Sequence, residues 1–409
     1  MDTYDIIIVG GGAAGFFTAI NAAEIDPSLR ILILERGKEV LSKVKISGGG
    51  RCNVTHAEFI PSELVKRYPR GDKELRGPFH SFMTGDTMEW FEKRGIELKI
   101  EEDGRIFPVS DSSQSIIDCF NSECRRLNIS VLKGHSLKNF SRKDENWHLE
   151  TSQGEFSTNK LMLATGSNPK VWDLLEKMGH QIISPVPSLF TFNIQDHRID
   201  GLAGISTEAE VKVESTKLES SGPLLITHWG MSGPAILKLS AWGARELNEL
   251  GYHFSIRVNW LPGRTSQHIL AELKQLKTEF PKQLVLKRAQ FELPKRLWQK
   301  IAIAAGIGSE DNWASLNKEQ LLKLSTQLTS ASFSVNGKST FKEEFVTAGG
   351  INLKEVDFKS FESKLYPDLY FAGEILNIDA ITGGFNFQNA WTGGFLAAQA
   401  MSSGARSQN

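Results

Sequence analysis

The stretch Ile6-Ile7-Ile8-Val9-Gly10-Gly11-Gly12-Ala13-Ala14-Gly15 constrains this chain more than any other. An apolar, β-branched run enters a cluster of glycines and leaves it as an alanine-rich apolar segment. That order is the strand–turn–helix of a dinucleotide-binding βαβ unit. Gly10 permits the sharp turn, Gly12 leaves room for a pyrophosphate against the backbone, and Gly15 lets the helix lie close on the strand. The free N–H groups at the helix start, around Ala13 and Ala14, then face the phosphates. A glycine-rich turn alone is a weak signal. Here Ile31-Leu32-Ile33-Leu34 reads as the next buried strand, and Glu35, followed by Arg36, ends it. Glu35 lies about 20 residues past the last glycine, where an acid takes a ribose hydroxyl.

The chain has 409 residues, which predicts two or three domains. Its formal net charge is -1, so nothing global points to nucleic acid or an anionic membrane. Three cysteines, an odd number, imply no disulfide framework and fit a reducing compartment. No apolar run is long enough to span a bilayer, and Asp2 and Asp5 stand where a signal peptide is basic. The cytoplasm is the expected location.

A second unusual stretch is Lys45-Ile46-Ser47-Gly48-Gly49-Gly50-Arg51-Cys52-Asn53-Val54-Thr55. It reads as a loop whose backbone can wrap a ligand, with Arg51 available to a phosphate or an anionic flavin ring. Cys52 beside Arg51 is either an activated thiol or, on balance, a packed one. The chain then alternates short elements: a helix ended by Gly95, a hairpin around Asp103-Gly104, and a helix from Ser112 or Ser113 to Leu127. Runs near 137–142, 147–151 and 155–157 read as an antiparallel meander. Lys160-Leu161-Met162-Leu163 reads as a separate buried strand ending at Ala164-Thr165-Gly166.

Ser184-Pro185-Val186-Pro187-Ser188 reads as a domain boundary. The expected division is 1–188 for the first part of a nucleotide-binding domain, 189–265 for an inserted β-rich module, 266–336 for a helical module, and 337–409 for the second part. One helix is expected from Ser232-Gly233-Pro234 to about Leu250. Lysine-rich faces of the helical module read as solvated surface. The chain closes in its opening style. An apolar run ends at Ala372-Gly373-Glu374, and Gly383-Gly384-Phe385-Asn386 leads into a helix from about Ala390 to Ala400. A helix start preceded by glycines puts positive backbone dipole at a site, suited to the N1/O2 edge of a flavin.

These stretches, with Thr227-His228-Trp229-Gly230-Met231-Ser232-Gly233-Pro234, resemble one family across almost the whole chain. It is the bacterial FAD-dependent oxidoreductase family that includes aminoacetone oxidase-like and bile-acid-reductase (BaiN-like) flavoproteins. The resemblance implies an α/β, Rossmann-like, glutathione-reductase-type FAD domain split by an inserted β module and a small helical module. It places Gly10, Gly12 and Gly15 on the FAD pyrophosphate, Glu35 on the adenosine ribose, and the Leu137 backbone near adenine. It lines the rest of FAD with Gly49, Gly50, Arg51, Cys52 and Asn53, with Ala164, Thr165 and Gly166, with Gly373 and Glu374, and with Gly384, Phe385 and Asn386.

Many relatives carry a further glycine-rich turn after the Ala-Thr-Gly segment, whereas Ser167-Asn168-Pro169 follows here and no second GxGxxG exists. No dedicated NAD(P)H domain is therefore expected, and any nicotinamide binds transiently. The expected activity is FAD-dependent oxidation or reduction of a small molecule, with no metal, no nucleic acid and no membrane partner. An RNA-modifying flavoprotein and a redox sensor are the alternatives. His228, titratable near neutral pH in a glycine-bounded turn, is the candidate proton-transfer group.

Overall fold

In a computed structural model the chain divides into two compact units, residues 1–186 with 342–409, and residues 187–341. The structure describes residues 2–339 and 346–403.

The first unit is built on a mostly parallel sheet. Its parallel strands run in the order Leu369–Phe371, Gly154–Leu163, Asp2–Val9, Ile31–Glu35 and Ser130–Lys133. Ile6, Ile7 and Ile8 are wholly buried, as a strand covered on both faces requires. The helix Ala13–Ile25 follows the glycine turn; Asp26 takes extended backbone before Pro27 and ends it. Phe17 packs against Trp90 and Trp391, which joins this helix to the final helix Phe385–Ser403.

The meander and the buried strand are not separate elements. Gly154–Leu163 is one strand of ten residues. Its first half pairs antiparallel with Asn146–Thr151, while from Phe156 onward it pairs parallel with the first strand, from Phe156 opposite Asp2 to Leu163 opposite Val9. The polar residues Ser157, Thr158 and Asn159 mask the continuity, although Thr158 is itself buried.

The second unit holds a seven-stranded antiparallel sheet and the helices Ser266–Glu279, Lys295–Ala304 and Lys318–Thr329. The β-rich and helical segments share a single hydrophobic core, in which Ile256 and Val258 of the sheet lie with Trp298, Trp313 and Leu324 of the helical part. Ala331–Asn336, which the sequence groups with helices, is an edge strand on His253–Asn259. The strand Lys338–Ser339 still belongs to this sheet, so the unit runs past residue 337. The helix expected from 232 to 250 breaks at Gly243 into Pro234–Trp242 and Ala244–Glu249. A Cβ at Gly243 would sit 2.6 Å from Leu218 Cδ1 and 3.2 Å from the Leu239 carbonyl oxygen, so the break is closely packed. Among the described residues no helix is long and apolar enough to cross a membrane.

Candidate FAD site

The candidate residues gather at the carboxyl ends of the parallel strands, where open α/β sheets bind ligands. At the first turn, Gly10 has φ +120°, and a Cβ on it would lie 2.2 Å from the Ala164 carbonyl oxygen. Glycine is thus what lets the ends of two adjacent strands meet. A Cβ on Gly15 would lie 2.0 Å from the Gly10 oxygen, so the helix rests directly on the turn. Gly12 differs: it is the N-cap, its backbone is extended at φ -100°, and nothing lies within 4 Å of an added Cβ. The space over Gly12 is open.

Glu35 turns back onto this loop. Its carboxylate accepts hydrogen bonds from Gly11 N–H at 2.8 Å and Gly37 N–H at 2.6 Å. The Glu35 carbonyl oxygen also accepts from His135 N–H at 2.9 Å, which draws the segment before Leu137 to the same end of the sheet. Leu137 is buried at the start of its strand, and Arg36 is exposed.

On the far side, a Cβ on Gly373 would stand 3.5 Å from Ala14 Cβ and 3.9 Å from Ala390 Cβ. The start of the first helix and the second turn of the final helix therefore both approach that turn. Glu374 accepts from Thr347 N–H at 3.0 Å, pairs with Lys43 at 2.5 Å, and approaches Gly166.

The glycine loop is part helix. Within Ser42–Gly50 the backbone is helical only as far as Ile46, so Lys45 and Ile46 are not loop residues. Gly48, Gly49 and Gly50 take φ of 57°, 69° and 85°, and nothing lies within 4 Å of an added Cβ on Gly49 or Gly50. The expectation for Arg51 fails here, while the favoured reading of Cys52 as a packed thiol agrees with its surroundings. Arg51 is not free for a phosphate or a flavin, because Glu101 at 2.5 Å and Asp111 at 3.4 Å take its Nη1 while the guanidinium stacks on Phe107. Cys52 is not an activated thiol. It is wholly buried, and burial pushes it up to about 12. Cys119 and Cys124 are likewise buried free thiols, pushed up to about 11 and about 12.

The final helix starts at Phe385, one turn earlier than the alanines suggest. A Cβ on Gly384 would lie 2.6 Å from the Thr55 carbonyl oxygen, so the two glycine-rich stretches touch through backbone. Phe385 is buried against His56 and Tyr68. Asn386 spends both polar atoms on the Ala380 backbone, at 3.0 and 3.2 Å, and so staples the preceding loop. Burial holds His56 below the usual histidine range, against the Gly383 carbonyl oxygen that lies 3.2 Å from its Nδ1.

Three buried oxygens in these stretches have no hydrogen-bond partner: Asn53 Oδ1, Thr165 Oγ1 and Asn389 Oδ1. Unsatisfied buried polar atoms are rare and mark places where a ligand or water completes the bonding. Asn389 stands in the closing Gln388-Asn389-Ala390-Trp391 run, where the neighbouring glycines drew the attention instead.

The sequence profile described as HI0933-like protein Rossmann domain matches residues 4–400. The chain belongs to that family. This HI0933-like protein is an FAD-dependent oxidoreductase. The open cradle at Gly12, the acid ending the second strand and the three unpartnered oxygens fit that cofactor. The HI0933-like chain is 28% identical to a ribosomal RNA dihydrouridine synthase of Haemophilus influenzae, covering 97% of this chain and 98% of that protein. It is 27% identical to a 3-dehydro-bile acid delta(4,6)-reductase of Clostridium scindens, covering 96% and 98%. In fold it is similar to the 3-ketosteroid-delta4-(5alpha)-dehydrogenase of Rhodococcus jostii, with TM-score 0.51, 11% identity and 97% of each chain covered.

His228 lies in the second unit, at the tip of the hairpin formed by Glu219–Thr227 and Gly230–Ser232. It is exposed, as is Trp229 at 59%. Thr227 Oγ1 accepts from Trp229 N–H at 3.2 Å, and a Cβ on Gly230 would lie 2.2 Å from the Phe192 oxygen. The tip is therefore rigidly built although its two aromatic side chains face solvent.

Proposed function

We propose that this protein uses FAD to add hydride to a carbon–carbon double bond conjugated with a carbonyl, or in the reverse direction to remove hydride from the saturated carbon as that double bond forms, in a small planar substrate. The observation that carries the reading is that two relatives, similar over nearly their full lengths, are named for such reductions. Dihydrouridine differs from uridine by two hydrogens across a ring double bond next to a carbonyl. A 3-keto steroid with double bonds at positions 4 and 6 carries the same conjugated system. FAD supplies the hydride chemistry when bound. Gly12 and the N–H groups of Ala13 and Ala14 hold its pyrophosphate, and Glu35 holds the adenosine ribose. Gly49 and Gly50 approach it through backbone, with Asn53, Thr165 and Asn389 supplying the oxygens that lack partners. The N-terminus of the 19-residue final helix favours negative charge at the flavin edge. His228 donates the proton that must accompany hydride at the neighbouring carbon. Any nicotinamide donor binds transiently, since the chain has no second GxGxxG.

A second reading places the same chemistry on a uracil within RNA. Charge favours it: residues 187–341 carry 18 Lys and Arg against 14 Asp and Glu, although the whole chain carries 47 against 48. The test is anaerobic single turnover. Holoprotein reduced with dithionite is mixed in turn with a steroid enone and with unmodified ribosomal RNA. Reoxidation of the flavin with a gain of two hydrogens in one of them assigns the substrate class. Reoxidation by neither, with normal reoxidation by oxygen, overturns the reading.

A further inference from the structure

We infer that an exposed basic surface on the second unit, between Lys274 and Lys300, is a binding site for the phosphate backbone of RNA. The inference rests on the RNA form of the proposed reaction. Residues 274–300 carry eight Lys and Arg against two Asp and Glu. They span the end of the helix Ser266–Glu279, a connection, and the start of the helix Lys295–Ala304.

Elsewhere in this unit several cations are neutralised. Arg257 pairs with Glu214, Arg264 with Glu272, Lys323 with Glu319 and Arg198 with Asp196. Lys274, Lys282, Lys287, Arg288 and Lys295 are exposed, and none makes an ion pair among the described residues. Of the two acids within the segment, Glu279 accepts from Gln275 and Glu292 is exposed. Unpaired like charges repel one another, and a polyanion relieves that repulsion.

The connection that carries three of these charges is fixed to the unit. Val285 N–H donates to the Asp311 oxygen at 3.0 Å. Trp298 Nε1 donates to the Val285 oxygen at 2.9 Å, and Gln299 Nε2 to the Leu286 oxygen at 3.1 Å. These bonds hold Lys287 and Arg288 beside the helix that begins at Lys295. Phe280, 41% exposed and lying in sequence between Lys274 and Lys282, offers a ring on which an unpaired base can stack. A membrane is the poorer fit, because Phe280 is the one large exposed apolar side chain in the segment.

The experiment measures fluorescence anisotropy of a fluorescein-labelled single-stranded RNA titrated with holoprotein, across about 50 to about 200 mM salt. Affinity is expected to fall log-linearly with salt, by about 0.7 in slope for each phosphate contacted. The triple variant Lys282→Glu/Lys287→Glu/Arg288→Glu is expected to lose at least about tenfold in affinity, as removal of several phosphate contacts implies. It should keep its flavin content and its flavin reoxidation by oxygen. Lys212→Glu/Lys217→Glu/Lys323→Glu, with the same charge change elsewhere on the unit, should bind nearly as wild type. Equal losses in both variants, no binding at low salt, or binding to phosphatidylglycerol vesicles in preference to RNA would each overturn the inference. A steroid enone reduced normally by the triple variant would leave the proposed chemistry standing on its own.

Discussion

Thr55 Oγ1 donates a 2.6 Å hydrogen bond to Gln388 Oε1 across 333 residues of sequence. Gln388 is fully buried, accepts also from Thr87 Oγ1 at 3.0 Å and donates to Thr392 Oγ1 at 3.1 Å. One side chain thus ties the segment after the glycine loop to the start of the final helix. Trp391 adds a bond to the Val54 oxygen at 2.9 Å. Gln388→Leu leaves two buried hydroxyls without their acceptor. The expected loss is about 1–3 kcal/mol of stability, with weaker flavin retention. Thermal unfolding of flavin-free and flavin-loaded protein separates the two effects.

Gly12→Val tests the pyrophosphate cradle. The extended backbone at Gly12 accepts a side chain, and nothing in the protein lies within 4 Å of the new Cβ. The variant should therefore fold with near-native far-UV circular dichroism while losing FAD. The ratio of flavin to protein absorbance measures this, and normal occupancy would contradict the placement. Gly10→Val is the contrast, because it clashes with the Ala164 carbonyl and should fail to fold.

Cys52 should resist alkylation. Its thiol is held up to about 12 by burial, so the thiolate is scarce at neutral pH. Iodoacetamide at pH 8 should label it only after unfolding, as read by peptide mass spectrometry. Cys52→Ala should leave the flavin's reactivity intact. Rapid native labelling would restore the activated-thiol reading.

His56 predicts a pH dependence. Burial lowers its folded value below the ordinary 6.5, so the unfolded chain binds the proton more readily. Its contribution to stability is intact above about 6.5 and is lost as pH falls below that value. The melting temperature should drop between about pH 7 and pH 5, and His56→Gln should flatten that part of the profile. An unchanged profile in the variant would assign the drop to other groups.

His228→Ala should keep the fold and the flavin. The side chain is exposed, so its removal should change stability by no more than about 0.5 kcal/mol. If it supplies the proton, single-turnover reoxidation by substrate should slow by about 10²–10⁴-fold. An unchanged rate would leave the proton to water.

The sequence alone determined the strand–turn–helix at residues 6–25 and the acid that ends the second strand. The pattern of each is local: Gly15 rests on the Gly10 oxygen and Glu35 bonds back to Gly11, although what forces Gly10 itself is the distant Ala164 carbonyl. It also determined the return to the first unit's style near the C-terminus, because strand, glycine turn and helix recur there. Only the tertiary structure decided what Arg51 and Cys52 do. Their environment comes from Glu101, Asp111 and a core assembled from distant segments, so adjacency of an arginine and a thiol carried no information on charge or burial. The same holds for the long strand Gly154–Leu163, whose polar middle pairs on both sides, and for the single core beneath the sheet and helices of the second unit. Periodicity reports which face of an element is apolar; which partner covers that face is fixed by contacts far apart in sequence.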